Sequence, residues 1–203
     1  IDGIPLVSPK ENDVIYYDIL KRAIDLCASL AAIVALLPLY LGIVLSIKFD
    51  SPGPVFFRQK RIGLHGQGFT IYKLRTMYVD TPVQMLTPDS ADDPRITRVG
   101  RFLRRTSLDE LPQLLNVLKG DMSLIGPRPE MPFIVETYTE YQRHRLTVLP
   151  GITGLWQISG DRALQIHENL EYDLYYIANR SLSLDLAILF QTAFSVIRGT
   201  GAW

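Results

Sequence analysis

The sequence has few of the residues that build disulfide and transition-metal sites. Its 203 residues include one cysteine and three histidines. Cys27 alone cannot form an internal disulfide, and nothing about it indicates an oxidising compartment. The histidines lack metal-ligand spacing, which favours surface or hydrogen-bonded roles for them: His65, His144 and His167. A disulfide-stabilised fold is therefore excluded, and a zinc enzyme is disfavoured.

Net charge and several catalytic motifs are also absent. The 21 basic and 21 acidic residues balance, so no global field recruits nucleic acid, and any anion binding must come from local clusters. The sequence contains no P-loop, H-E-x-x-H, G-x-S-x-G or D-x-D motif, which weakens ATPase, zinc-hydrolase, serine-hydrolase and metal-dependent glycosyltransferase interpretations. The length fits one domain with an added membrane element.

A local cluster of arginines is present between residues 94 and 108, where no acidic residue occurs. At helical spacing three of these side chains can share a face, and guanidinium groups match phosphate oxygens bidentately. A solvated basic surface is the alternative interpretation of each arginine taken alone. The members of the cluster are Arg95, Arg98, Arg101, Arg104 and Arg105, of which the last three have the shared spacing.

Residues 26–47 form an uncharged apolar segment that is long enough to cross a bilayer as one straight helix. Pro38 interrupts the segment, and neither arm alone reaches across a hydrocarbon core of about 30 Å. Basic residues flank both ends, including Lys21 and Lys48, so both ends look cytoplasmic under the positive-inside rule. A re-entrant helix that bends at Pro38 therefore competes with an ordinary transmembrane anchor.

The remaining pattern predicts an α/β fold that is mainly helical with a small β-hairpin. Residues 55–57 and 69–72 flank a glycine-rich connection, as two hairpin strands would. Residues 80–94 are predicted as a loop. Apolar periodicity predicts helices over 108–118, 166–178 and 184–196, and the last is apolar enough to be core or to lie on a membrane surface.

The adjacent Asp109 and Glu110 have two interpretations. In the first, Ser107 and Glu110 form a capping box at the start of the predicted helix. In the second, one carboxylate is a nucleophile toward phosphorus and its neighbour helps to hold Mg²⁺, which offsets the repulsion between anions. Arg128, fixed between two prolines, adds a cation on a rigid loop. The residues alone indicate a phosphate-handling site that is assisted by a metal.

Several segments together resemble the bacterial sugar transferase family, the monotopic polyprenyl-phosphate phosphoglycosyl transferases. They are KRAIDL (21–26), SPGPVFFRQKRIG (51–63), IYKLRTM (71–77), RRTSLDELPQLLNVLKGDMSLIGPRP (104–129) and LPGITGLWQISG (149–160). Family members often carry Gly-Arg after the last motif, whereas this chain has Gly160-Asp161-Arg162, which leaves the alignment of Arg162 in doubt. The resemblance covers residues 19–203 in the family's motif order.

The resemblance implies transfer of a sugar 1-phosphate from a UDP-sugar to undecaprenyl phosphate, with release of UMP, as the first membrane step of surface glycan synthesis. It implies that Asp109 forms a phosphosugar-aspartyl intermediate and that Asp109 and Glu110 hold Mg²⁺. It also favours the re-entrant helix broken at Pro38. Residues implied to contact phosphate or nucleotide are Lys73, Arg104 and Arg128.

The implied organisation is a polar leader or linker over residues 1–18, a membrane-associated re-entrant helix over 19–50 and a cytoplasmic catalytic domain over 51–203. The leader resembles the linker that precedes the catalytic unit in longer family members. The implied partners are the UDP-sugar, undecaprenyl phosphate and membrane lipid at the cytoplasmic face of the inner membrane, without nucleic acid. The oligomeric state is left open, a homodimer included. A nucleotide-sugar hydrolase and a non-catalytic scaffold of polysaccharide assembly remain as alternatives.

Overall fold

A computed structural model describes residues 11–81, 93–160 and 170–198 of the chain. Residues 82–92 of the predicted loop, the first part of the helix predicted from residue 166, Arg162 and His167 lie outside the described residues. Within the described part the fold class is confirmed, because the chain is mainly helical with a small antiparallel hairpin.

The N-terminal apolar segment forms two helices that meet at an angle. Helix α1 (Glu11–Ala35) begins inside the predicted leader, and helix α2 (Leu37–Asp50) follows after a bend of 62°. Pro38 lies in the first turn of α2, where a missing N–H costs no helical hydrogen bond. Among the described residues no single helix is both long and apolar enough to cross a membrane. The bent pair Ile15–Ala35 and Leu37–Asp50 reaches that length and apolar character only when the two helices are taken together.

The predicted hairpin is present and its strands are longer than the sequence pattern indicated. Strand β1 (Phe56–Ile62) pairs antiparallel with strand β2 (Gly68–Leu74), and a short 3-10 turn at Leu64–Gly66 joins them. The side chains of Phe69 and Ile71 are buried on one face of β2. Because side chains alternate along a strand, Lys73 belongs to the same face, one step beyond these two residues.

Two helices and a 3-10 segment follow the described part of the loop. Helix α3 (Arg98–Arg105) leads into a 3-10 segment (Leu108–Gln113), and helix α4 (Leu114–Lys119) comes next. The prediction of one continuous helix from residue 108 was therefore wrong. Pro112 explains the difference, because it has no N–H to donate to a carbonyl one turn earlier, so regular α-helix begins only after it.

Arg101, Arg104 and Arg105 lie on one side of α3, as their helical spacing indicated, but their side chains differ in exposure. Arg101 and Arg105 are exposed together with Phe102 on the outer side of α3. Arg104 turns inward instead, and its Nε donates to the Oγ1 of Thr76 at 3.1 Å. Only one of the three arginines is therefore directed toward the interior of the fold.

The C-terminal half contains a second, parallel strand pair that the sequence pattern did not predict. Its strands, β3 (Ser123–Ile125) and β4 (Gly151–Thr153), have three residues each, too few to show a periodicity. Over the described residues of this half, the helices are α5 (Pro132–Glu136), α6 (Glu140–Arg143), α7 (Leu155–Ile158), α8 (Glu171–Asn179) and α9 (Leu182–Ile197), with a 3-10 turn at His144–Thr147. The helices predicted near the C-terminus are confirmed over their described residues.

Both N-terminal helices are packed against the domain that follows them. Ile43 and Ile47 of α2 are buried in one apolar cluster with Leu74 of β2. From α1, Arg22 donates to the carbonyl of Val117 at 2.8 Å, and its neighbour one turn later, Asp25, is buried and accepts the amide of a β3 residue. The apolar segment is therefore an integral part of the fold and not a tether.

Candidate active site

A cavity of about 600 Å³ opens between the hairpin, α3, the 3-10 segment 108–113, the loop that precedes α5, and helices α7 and α9. The structure brings the predicted polar site residues together in its wall, although they lie on four different elements. They are Lys73, Arg104, Asp109, Glu110 and Arg128. Pro38, the predicted helix break, is not in this wall.

Two cations meet one oxygen of Glu110. The Nζ of Lys73 lies 2.7 Å from Oε1, and the Nη2 of Arg128 lies 3.3 Å from the same atom. Both contacts are hydrogen-bonded ion pairs in a partly buried setting, where charge-assisted bonds are stronger than neutral ones. Glu110 is therefore held in one position between strand β2 and the proline-flanked loop.

The capping box predicted at Ser107 and Glu110 is absent. Ser107 has a left-handed backbone (φ 55°), and its side chain makes no cap hydrogen bond. A residue other than glycine in this region is uncommon and costs about 1 kcal/mol or more. Because Glu110 is bound to Lys73 and Arg128 and not to a helix cap, the structural explanation of the carboxylate pair does not hold.

Asp109 is buried without a hydrogen-bond partner for its carboxylate among the described residues. It is 8% exposed. Burial, followed by the charge of Glu110, raises the pKa of Asp109 to about 6, although Lys73 opposes the shift. Burial also acts to raise the pKa of Glu110, but Lys73 and Arg128 outweigh it and hold that pKa below its usual range. The two adjacent carboxylates thus differ, since Glu110 is a fixed ion and Asp109 is a desolvated, unpaired one.

Asn116 sets the distance between the strand that carries Lys73 and the segment that carries the carboxylates. Its fully buried side chain accepts the amide of Tyr72 at 3.2 Å and donates to the carbonyl of Thr70 at 2.8 Å, so it pairs with the edge of β2. The sequence analysis missed this residue. The available signal was a single polar side chain within the apolar run LLNVLK of α4.

Arg61 is a further cation in the cavity wall that the sequence analysis did not assign to the site. Its Nη1 donates to the carbonyl of Pro129 at 3.1 Å, and its Nη2 donates to the Oε1 of Gln59 at 2.7 Å. Burial, and then the charge of Arg128, lowers the pKa of Arg61 to about 10. The guanidinium thus contributes positive charge to the cavity while it holds the loop next to Arg128.

The carboxylate pair is suited to a hard divalent cation. Lys73 and Arg128 both contact Oε1 of Glu110, which leaves Oε2 together with the unpaired carboxylate of Asp109. Among the described residues no group of three or more histidine, cysteine or acidic side chains could hold a metal. Mg²⁺ commonly takes one or two protein carboxylates and completes its shell with substrate phosphates and water. These residues therefore fit Mg²⁺ better than a metal that needs a full protein cage.

The cavity wall combines charged and apolar side chains. Apolar side chains from the hairpin, the 3-10 segment, the loop before α5, and the two helices α7 and α9 line it beside the carboxylates and cations described above, among them Phe56, Leu74, Leu111, Met131, Ile158 and Val196. Such a cavity can contact both the charged and the apolar groups of a ligand.

Known proteins are similar in sequence to this chain over most of its length. A family model described as bacterial sugar transferase matches residues 16–199. An uncharacterized sugar transferase of Bacillus subtilis is 44% identical over 90% of this chain and 90% of its own length. The undecaprenyl-phosphate galactose phosphotransferase of Salmonella typhimurium is 40% identical over 91% of the chain and 42% of its own length. The UDP-glucose:undecaprenyl-phosphate glucose-1-phosphate transferase of Escherichia coli is 40% identical over 96% and 44%. The chain therefore spans less than half the length of the last two relatives.

Proposed function

The chain belongs to the bacterial sugar transferase family, and on this basis we propose that it transfers a sugar 1-phosphate from a UDP-sugar to undecaprenyl phosphate and releases UMP. One observation carries the proposal. Asp109 is a buried carboxylate without a hydrogen-bond partner among the described residues, and it lies in the same cavity wall as Lys73, Arg104 and Arg128. The names of the Salmonella and Escherichia coli relatives describe the same class of reaction.

In the first step an oxygen of Asp109 attacks the phosphorus atom that carries the sugar. The bond between that phosphorus and the bridging oxygen breaks, and UMP leaves with the bonding electrons. The sugar phosphate is then bound covalently to the aspartate. Lys73, Arg104 and Arg128 supply positive charge where negative charge collects on the phosphate oxygens.

In the second step an oxygen of undecaprenyl phosphate attacks the same phosphorus atom. The bond from phosphorus to Asp109 breaks, so the carboxylate is regenerated and the lipid leaves as undecaprenyl diphosphate sugar. The covalent route divides one displacement between two anionic substrates into two displacements in a single charged site. The apolar side chains of the cavity wall, among them Val196, would contact the first part of the lipid tail.

Asp109 and the free oxygen of Glu110 hold Mg²⁺ in this proposal. When bound, Mg²⁺ supplies Lewis-acid polarisation and neutralises phosphate charge. Glu110 has a second task, because its other oxygen keeps Lys73 and Arg128 beside the phosphates. Removal of the metal with a chelator is therefore expected to stop UMP release, and added Mg²⁺ is expected to restore it.

The bent helix pair α1 and α2 is proposed to enter the membrane from the cytoplasmic face and to return to it. The 62° bend at Leu36 and Pro38, the basic residues at both ends and the exposed apolar side chains of both helices support this topology. With Cys27 changed to serine, single cysteines placed at Tyr16 and Lys48 are expected to react with a membrane-impermeant reagent from the same side of oriented vesicles. Labelling from opposite sides would instead establish a transmembrane span.

Isotope exchange separates the transferase from its two alternatives. Without lipid acceptor, the protein is expected to incorporate labelled UMP into a UDP-sugar, because formation of the aspartyl intermediate is reversible. Addition of undecaprenyl phosphate is then expected to convert the donor into lipid-linked sugar. Asp109→Asn is expected to abolish both activities, whereas Asp18→Asn, an exposed aspartate of α1, serves as the matched control.

Other outcomes of this experiment would overturn the proposal. Free sugar phosphate formed without lipid would identify a nucleotide-sugar hydrolase. No exchange with any UDP-sugar, from protein that is folded and supplied with Mg²⁺, would favour a non-catalytic scaffold. Lipid-linked product formed without any UMP exchange would retain the transferase but remove the covalent intermediate.

A further inference from the structure

The loop that carries Arg128 is held along its main chain. Each carbonyl of residues 127–130 accepts a hydrogen bond from elsewhere in the fold, at distances from 2.9 to 3.1 Å. In chain order the donors are the amide of Gly151, the guanidinium of Arg145, the guanidinium of Arg61 and the amide of Ile62. Two of these donors are therefore arginine side chains, those of Arg61 and Arg145.

The guanidinium of Arg145 donates hydrogen bonds to three acceptors. The residue is 3% exposed; its Nε donates to the Oδ2 of Asp173 at 2.7 Å, its Nη1 donates to the hydroxyl of Tyr138, and its Nη2 donates to the carbonyl of Arg128 at 3.0 Å. Asp173 is 1% exposed and belongs to α8. Helix α8 and the segment between α5 and α6 thus converge, through one guanidinium, on the main chain of Arg128.

The choice of arginine at this position is informative. A buried ion pair is a costly way to satisfy one carbonyl, because the desolvation of both charges offsets most of their attraction. A neutral side chain could donate a single bond at lower cost. A planar guanidinium, however, directs donors to several acceptors in fixed geometry, which lysine cannot do. The cluster therefore fixes a position more effectively than it contributes stability.

Arg128 needs such a support because its side chain has few contacts. The guanidinium meets Oε1 of Glu110 at 3.3 Å and its side chain is 33% exposed toward the cavity. A long side chain loses its preferred position when its backbone moves, and a displacement of about 1 Å in an active site can cost about a hundredfold in rate. The main chain at Arg128 is thus the part of the site whose placement depends on residues outside the cavity.

Resting on the proposed function, we propose that Arg145 is a positioning residue for the transfer reaction: its buried guanidinium, oriented by Asp173 and Tyr138, holds the carbonyl of Arg128, so that the Arg128 side chain meets Glu110 and the donor phosphate. Arg145 itself touches no substrate. Its effect on activity therefore passes entirely through Arg128.

The test compares Arg145→Lys with a matched control, Arg22→Lys. Arg22 also donates to two main-chain carbonyls, those of Val117 and Leu118 at 2.8 and 3.4 Å, but it is not connected to Arg128. Both changes keep the positive charge and reduce the number of N–H groups that can donate hydrogen bonds. Each is made in the wild-type chain and in an Arg128→Ala background, and kcat/KM for UMP release is measured with a UDP-sugar and undecaprenyl phosphate in lipid nanodiscs.

Arg145→Lys is expected to lower kcat/KM about tenfold or more in the wild-type chain. Arg128→Ala is expected to lower it about a hundredfold. The double variant is expected to match Arg128→Ala within about twofold, because Arg145 has nothing left to position. Multiplication of the two losses, or an equal loss in Arg22→Lys, would overturn the proposal in favour of a general structural role.

A milder variant keeps the test decisive if Arg145→Lys does not fold. Tyr138→Phe removes one acceptor of the guanidinium and keeps the aromatic ring, and it is expected to give a smaller loss with the same dependence on Arg128. A loss that persists in full in the Arg128→Ala background would count against the proposal.

Hydrogen exchange separates failure of this inference from failure of the proposed function. The amides of Gly151 and Ile62 donate to the carbonyls of Pro127 and Glu130 on either side of Arg128. These amides are expected to exchange faster in Arg145→Lys and to be unchanged in Arg22→Lys. Wild-type protein that releases no UMP would remove the proposed function alone, whereas unchanged exchange at both amides would remove the positioning role.

Discussion

Two aspartates are buried to a similar degree in different parts of the molecule, and their surroundings are opposite. Asp109, 8% exposed, faces the cavity and has no hydrogen-bond partner among the described residues. Asp185, 5% exposed, lies where α9 meets α1 and α8 and accepts bonds at 2.9 Å from Tyr17, Lys21 and Tyr176. The chain thus satisfies one buried carboxylate completely and leaves the other unpaired.

Under the proposed function, the difference separates a residue that supports the fold from one that takes part in the reaction. An unpaired buried charge costs several kcal/mol in general, and a protein tolerates that cost where activity requires it. A buried carboxylate with a cation and two hydroxyl donors holds its elements together instead. Burial alone therefore does not indicate a functional carboxylate, whereas burial without a partner in a cavity wall makes a carboxylate a candidate for function.

The contrast between the two aspartates would not hold if Asp109 were a structural residue. We expect Asp109→Asn to lower the rate of UMP release by at least about a thousandfold, because the nucleophile is lost. We also expect thermal stability to be unchanged or raised, because a desolvated charge without a partner is removed. Activity assays together with thermal unfolding of the same preparation measure both effects. Destabilisation comparable with that of an Asp185 variant would show that Asp109 is structural.

The opposite change is expected at Asp185. Asp185→Ala leaves Lys21 and two tyrosine hydroxyls without their shared acceptor, so we expect the free energy of unfolding to fall by about 3 kcal/mol. Guanidinium titration in detergent micelles measures the loss. Transfer activity per folded molecule is expected to stay within a few fold of wild type. A stable Asp185→Ala protein without activity would reverse the roles assigned to the two aspartates.

Local sequence patterns predicted the elements of the fold, but not the contacts between them. The hairpin, the bend at Pro38 and the apolar C-terminal helix α9 each follow from a run of neighbouring residues, and each is present. The capping box failed because Ser107 has a left-handed backbone and Glu110 is bound to two cations instead. The strand pair β3 and β4 was missed because its strands are short and distant in sequence.

In the candidate site, too, the sequence predicted individual residues but not the contacts between them. The motifs indicated which side chains belong to the site, including Asp109, Lys73 and Arg128, because each lies in a segment with a recognisable pattern. They did not indicate that Glu110 pairs with both cations while Asp109 stays unpaired. Nor did they indicate Asn116, which bonds to Thr70 46 residues away, or Arg145, which bonds to Asp173 28 residues away. Such contacts depend on tertiary packing, which no local periodicity encodes.

The comparison of the two aspartate sites extends to the lysine that lies in each site. Lys73 meets Glu110 at 2.7 Å and Lys21 meets Asp185 at 2.9 Å, and their side chains are 17% and 14% exposed. We expect Lys73→Met to lower kcat/KM about a hundredfold with a small change in unfolding temperature, since a cation beside the phosphates is lost. Lys21→Met is the matched control and is expected to lower stability and leave kcat/KM within a few fold. Equal effects of the two variants on activity would contradict the distinction.

The smallest expected effect tests whether burial, and not ion pairing as such, gives Asp185 its importance. Asp18 of α1 pairs with Arg180 at 3.4 Å, next to the buried Tyr17 and Lys21 contacts, but its side chain is 50% exposed. Water screens an exposed pair of this kind, so Asp18→Asn is expected to change the free energy of unfolding by less than about 0.5 kcal/mol. The measurement is the same guanidinium titration used for Asp185→Ala, at low and high salt. A loss above about 2 kcal/mol that disappears in high salt would show that surface charge, and not the buried cluster, fixes α1 to the C-terminal helices.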